Sequence, residues 1–202
     1  MYARVITAQN QPGKVDEAVQ IYRESMLPEA RQQPGFKGAM MLVDRSTGKG
    51  TSITLWQTVA DGQASGTGSA YLQAQIAKAA SLLAAAPIVE TYEVSVQEVQ
   101  QGSLGTYARV LTAMAHPGKT DEGVQIVRDS ILPVTRRQPG FKGYLNLTDR
   151  TTGKVISISL WETEADLNAS ESSGLLREQL GKVAHVLATQ VVREVYEVTV
   201  QE

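Results

Sequence analysis

Residues 31–56, RQQPGFKGAMMLVDRSTGKGTSITLW, return as residues 136–161, RRQPGFKGYLNLTDRTTGKVISISLW. In each stretch a Pro-Gly pair opens a run rich in strand-forming residues. RSTGK or RTTGK then turns the chain back into a second run that ends on a tryptophan, which together reads as a β-hairpin. Outward from the hairpin the two halves keep matching. YARVITAQNQPGKVDEAVQIYRES from Tyr2 returns as YARVLTAMAHPGKTDEGVQIVRDS from Tyr107, and through Asp61 and Asp166 about six positions in ten are identical. The register holds to Asp61 and Asp166. Farther on, Leu72 aligns with Leu176, Lys78 with Lys182 and YEVSVQE with YEVTVQE, so the second copy lacks one residue in the stretch matching Gly62 to Tyr71.

Each copy reads β-α-β-β-α-β. Tyr2 to Gln9 and Tyr107 to Met114 are first strands ended by Pro-Gly. Val15, Val19, Tyr22 and Met26, and Val124, Val127 and Ile131, recur at helical spacing, and Pro28 and Pro133 should kink or end that helix. Thr58 to Asp61 and Thr163 to Asp166 are helix-start signals. They are followed by the stripes Leu72, Ile76, Ala79, Leu83 and Leu176, Leu180, Val183, Leu187. A last strand, ETYEVSV or EVYEVTV, closes each unit. The chain therefore divides into a first repeat at 1–98, a linker at 99–106 (VQQGSLGT) and a second repeat at 107–202. The fold class is α+β: two ferredoxin-like domains, expected to pack sheet to sheet as an intramolecular α+β barrel.

Simple alternation assigns the faces. Phe36, Gly38, Met40 and Leu42 match Phe141, Gly143, Leu145 and Leu147, an apolar side expected to face the helices. The other side carries Lys37, Ala39, Met41 and Val43, or Lys142, Tyr144, Asn146 and Thr148. The hairpin sets Met41 opposite Ser52, Ala39 opposite Thr54 and Lys37 opposite Trp56. That second face, with Arg4 and Arg109 on the first strands, is expected to meet the other sheet. Its residues Trp56, Trp161, Ala39, Met41, Ser52, Thr54, Tyr144, Asn146, Ser157, Ser159, Arg4 and Arg109 are the candidate pocket lining. Any cavity should be unequal between the halves: the side chains are small and apolar in the first, favouring an apolar ligand, and larger and hydrogen-bonding in the second, favouring a polar one.

Composition narrows the chemistry. Among 202 residues, 19 Lys plus Arg against 21 Asp plus Glu leave a net charge of −2, with no basic run to track a nucleic-acid backbone or an anionic membrane. Without cysteine there is no thiolate zinc site or cysteine nucleophile, and two separated histidines do not make a metal site, so no metal is expected. No apolar run is long enough to cross a bilayer, and MYARVITAQN lacks a charged lead and an apolar signal core, so the expected location is the cytoplasm.

The order of elements, with PGF after the first helix and a Trp ending the third strand, resembles the antibiotic biosynthesis monooxygenase family of dimeric α+β barrels, twice over in one chain. The resemblance implies a sheet-to-sheet pair of ferredoxin-like units. It also implies one of several activities: cofactor-free oxygenation of aromatic polyketides or quinols, haem degradation, or none assigned. The positions at which haem-degrading members carry Asn, a second Trp and His hold Ile6, Ser65 and Gln75 in the first copy and Leu111, Ser170 and Gln179 in the second. The Asn and Tyr positions of the polyketide oxygenases hold Ser52 and Gly62, and Ser157 and Leu167; only the Trp is kept. On the residues alone, Trp56 and Trp161 read first as packing. Arg4 and Arg109 read as cross-strand partners of Glu93 and Glu197, His116 and His185 as surface groups, and Tyr92 and Tyr196 as core. The expected function is a cofactor-independent monooxygenase of a small aromatic or quinol; the alternative is a non-catalytic ligand-binding or structural barrel. The implied partner is a small aromatic ligand, with further self-association open.

Overall fold

A computed structural model describes residues 1–66, 68–99 and 105–202; most of the linker, residues 100–104, lies outside the described residues. The strands are β1 (Tyr2–Gln9), β2 (Phe36–Asp44), β3 (Lys49–Trp56), β4 (Ile88–Val99), β5 (Tyr107–Met114), β6 (Phe141–Thr148), β7 (Lys154–Trp161) and β8 (Val192–Gln201). Two compact units result: Met1–Tyr92 with Glu197–Glu202, and Glu93–Tyr196. The first has strand order β4-β1-β3-β2-β8 and the second β8-β5-β7-β6-β4, so β4 and β8 each contribute to both. Each unit is ferredoxin-like, its own four strands extended by a fifth.

In the first unit the fifth strand is the chain's end. Met41 pairs with Val200 and Val43 with Glu197. Ala39 and Glu202 exchange backbone hydrogen bonds at 3.2 and 2.9 Å. Gly38 is required there, because a Cβ would stand 2.6 Å from the Glu202 carbonyl oxygen. Arg31 grips the Glu202 carboxylate through Nε and Nη2 at 2.7 and 2.6 Å. In the second unit Glu93–Val99 lies along β6, Glu93 facing Thr148.

The hairpin register confirms Met41 opposite Ser52 and Ala39 opposite Thr54, but Phe36, not Lys37, faces Trp56. A one-residue bulge at Lys37, repeated at Lys142, is the reason: the extra residue is left out of the ladder and inverts the alternation around it. The expected face assignment is therefore wrong. Ala39, Met41 and Val43 pack with Val15, Val19, Tyr22 and Leu27 of the helix, and Tyr144 packs with Val124, Val127, Ile131 and Leu132. The side bearing the candidate residues is the helix side. Phe36 joins it, its ring edge-on to Trp56 at 6.2 Å, as Phe141 is to Trp161 at 6.1 Å.

The first helix of each repeat runs past its proline instead of ending there. Val15–Ile21 continues through a wide turn at Tyr22–Met26 into Leu27–Arg31, and Thr120–Ile126 through Val127–Ile131 into Leu132–Thr135. In the wide turns the Leu27 and Leu132 N–H groups reach back five residues, to the carbonyls of Tyr22 and Val127. The proline follows at once, where its missing N–H and its ring would strain a regular helix.

The second helical region is two helices, Val59–Ala64 and Ala70–Ala79, matched by Glu164–Ser172 and Leu175–Val183. Thr58 and Asp61 form a reciprocal cap, each accepting the other's backbone N–H at 3.1 Å. Asp61 also explains PGF. Gly35 has φ +75° and a Cβ there would lie 2.3 Å from the Asp61 carboxyl; Gly140 and Asp166 repeat the contact.

Candidate functional site

Among the described residues, each unit holds a cavity between its sheet and helices. That of the second unit measures about 90 Å³, against about 60 Å³ in the first. A single water needs roughly 10–15 Å³ on this measure, so the larger space takes a ligand of several heavy atoms.

The sheet side of the second cavity carries Arg109, Tyr144, Asn146, Ser157 and Ser159; Val127, Gln179, Leu180 and Val183 cover it from the helices. The Arg109 side chain is part of this lining. Only 5% of the residue is exposed. Its Nη1 donates to Ser170 Oγ at 2.8 Å and lies 3.4 Å from Glu171 Oε1. Burial pulls the guanidinium pKa down while Glu171 opposes the shift. Arg109 also lies 5.2 Å over the Trp161 ring. Its Nε has no partner.

Burial raises the pKa of the Tyr144 hydroxyl, which bonds Ser157. Asn146 donates from Nδ2 to Ser157 Oγ at 2.8 Å, leaving Oδ1 unpartnered. Gln179 accepts from Lys182 Nζ at 3.1 Å, leaving its Nε2 unpartnered. Trp161 lies beneath this site and does not line it; its indole N–H donates to Ser159 Oγ at 3.0 Å.

The first unit differs at matching positions. Tyr22 stands where the second repeat has Val127, and Ala39 where it has Tyr144. A buried ring thus enters from the helix in one unit and from the sheet in the other. Burial raises the pKa of the Tyr22 hydroxyl, which bonds Thr54. Met41 and Ser52 line the smaller cavity, whereas Ala39, Thr54, Arg4 and Trp56 do not. Arg4 donates to the carbonyl and hydroxyl of Ser65 and sits 4.9 Å over Trp56 and 5.7 Å over Tyr71.

Neither arginine pairs with the expected glutamates. Glu93 binds Arg150 and Glu197 binds Arg45, each at 2.7 Å, while Arg4 reaches Ser65, just past helix Val59–Ala64, and Arg109 reaches Ser170 in helix Glu164–Ser172. No alternation pattern signals a partner so distant in sequence. Gln75 and Gln179, at the histidine position of haem-degrading members, are both buried, but only Gln179 lines a cavity; Tyr71, over which Arg4 sits, carried no sequence signal. His185 is exposed and bonds Glu122 at 2.8 Å. Tyr92 and Tyr196 are buried. Among the described residues no group of three His, Cys, Asp or Glu is placed to hold a metal, and no helix is long and apolar enough to cross a membrane.

Residues 106–190 match the model of the antibiotic biosynthesis monooxygenase family. The second repeat belongs to that family. The first is its internal duplicate, sharing the same elements in the same order. An uncharacterized protein of Mycobacterium tuberculosis is 25% identical over 189 residues, 90% of this chain and 83% of its own length. A second from that organism is 39% identical over 70 residues, 35% of this chain and 29% of its own. Among solved structures, a candidate monooxygenase from Fusobacterium nucleatum superposes with a TM-score of 0.78 at 12% identity, covering 100% of this chain and 93% of that one. An anthrone oxidase-like protein gives 0.74 at 13% identity, covering 100% and 92%. At such identities the likeness is one of fold.

Proposed function

We propose that the second, monooxygenase-family repeat binds a small aromatic or quinol in its cavity and oxygenates it without a cofactor. The reading rests on one observation: a buried guanidinium lines a cavity that the helices cover mostly with apolar side chains. A phenol or an enolisable aromatic ketone entering it would ionise more readily beside Arg109, and the resulting anion is the electron-rich form that reacts with oxygen. The cavity wall would exclude water and hold the ring in one orientation. For an anthrone-type substrate, by analogy with the anthrone oxidase-like neighbour, the ring CH2 becomes C=O. One oxygen atom is inserted and the other leaves as water with the two hydrogens.

A second reading has its own support. The described cavity lining contains no carboxylate and no imidazole, so the groups available to take a proton are weak bases. A site that binds without turnover is the alternative. Oxygen uptake with anthrone and hydroquinone separates the two. Uptake abolished by Arg109→Met but kept by Arg4→Met supports oxygenation in the second repeat. A ligand-induced rise in Tm with no uptake supports binding alone.

A further inference from the structure

We propose that the second repeat's cavity selects a ligand with two separate oxygen groups, an acceptor and a hydroxyl donor, and that Asn146 and Gln179 set this requirement. The inference rests on the reading that this cavity binds a small aromatic. Three polar side chains that line it, each at least nine-tenths buried, have an unpartnered atom: Arg109 Nε, Gln179 Nε2 and Asn146 Oδ1. Leaving such groups unpaired is costly, and a bound ligand is one way to recover that cost. The first two are donors and call for an acceptor oxygen. The third is an acceptor and calls for a hydroxyl.

Comparison of the repeats shows where two of these groups come from. In the first repeat Gln75, the counterpart of Gln179, gives its amide N–H to Glu29 at 2.5 Å. Val134 stands in place of Glu29 in the second, so the amide there has no carboxylate to bind. Met41 stands in the first repeat where Asn146 stands in the second, so the acceptor is also new. Arg109 and Asn146 sit on β5 and β6, the strands on either side of β7, so they approach a ligand lying over β7 from opposite sides. An aromatic ring with oxygens on opposite edges, as in benzene-1,4-diol, has the required donor and acceptor.

The test is anaerobic calorimetric titration of the full chain with hydroquinone and with 1,4-dimethoxybenzene, which keeps both oxygens as acceptors and has no hydroxyl donor. Wild type should prefer hydroquinone by about tenfold, the worth of one buried hydrogen bond. Asn146→Met, a residue the first repeat accommodates at this position, should erase the preference. Gln179→Leu should weaken both probes by removing a donor to their acceptor oxygen. Circular dichroism and melting verify folding, and Asn146→Leu provides a second variant if the methionine one does not fold. Equal affinity of wild type for both probes, or a preference that survives in the position-146 variants, overturns the inference. Failure of both probes to bind overturns it together with aromatic binding at this site. If anthrone still drives oxygen uptake while the probes are not distinguished, the proposed function stands and this inference alone falls.

Discussion

Glu171 places a carboxylate oxygen 3.4 Å from the Arg109 guanidinium, while the first repeat has Gly66 at that position and leaves Arg4 to serine and aromatic partners. Arg109 is nearly sealed from water, so its charge is balanced chiefly by this neighbour, which Arg193 also holds at 2.7 Å. Glu171→Gln keeps the shape and removes the charge. It should lower stability by about 1–2 kcal/mol in urea unfolding at neutral pH, the range for a hydrogen bond to a charged group that is partly open to solvent. No change would mean that Ser170 and the Trp161 ring suffice.

The two tryptophans should respond unequally to one substitution. Trp161 donates its indole N–H to Ser159, whereas the buried Trp56 Nε1 has no partner. Trp161→Phe loses a hydrogen bond and strands Ser159, while Trp56→Phe removes an unsatisfied donor. We expect Trp161→Phe to cost about 1 kcal/mol more than Trp56→Phe by chemical denaturation. Equal losses would contradict the assigned pairing.

The exchanged rings predict a rescue. Val127→Tyr alone overfills the second cavity and should cost about 1–3 kcal/mol and abolish hydroquinone binding. Adding Tyr144→Ala recreates the first repeat's pair of Tyr22 and Ala39. The double variant should therefore be more stable than the sum of its parts by about 1–3 kcal/mol, read from a double-mutant cycle. Additive losses would show that the two positions do not share one space.

Acid should weaken the hairpin turns. Asp44 is held below the usual carboxylate range chiefly by the Ser46 hydroxyl and then Thr47, and Asp149 chiefly by the Thr152 hydroxyl. A carboxyl whose folded pKa is depressed contributes stability above its unfolded value, near pH 4, and loses it as pH falls through the folded one. Asp149→Asn should therefore be destabilising at pH 7 and approach wild type below about pH 3. A difference that stays constant over that range would exclude the charge as the cause.

Element order was legible because turn residues and caps act locally: Pro-Gly before β2 and β6, the Asp-Arg turns, and Thr58 and Thr163 at helix starts all act within a few residues. The candidate residues were grouped on one face correctly, since Ala39, Met41, Ser52 and Thr54 share a side. Which way that side points was not legible. Lys37 looks like any strand residue, and its exclusion from the ladder leaves no trace in hydropathy. The arginine partners escaped for another reason: the serines that receive them lie in or just past a separate helix, and sequence spacing carries no information about contacts made only after packing. The unpaired amides of Asn146 and Gln179 are likewise products of what does not surround them.

The wide turn at Tyr22–Met26 amounts to one residue of slack spooled into a helix. Deleting a single residue there, Glu24 for example, would restore regular winding and rotate everything upstream by about 100° relative to the segment after Pro28. Val15, Ala18 and Val19 would swing off the sheet, and the proline would then fall inside an unrelieved helix. Both repeats carry the same slack at the same place, so a length change of one residue in this helix, harmless in most loops, would here unseat the lid of the cavity.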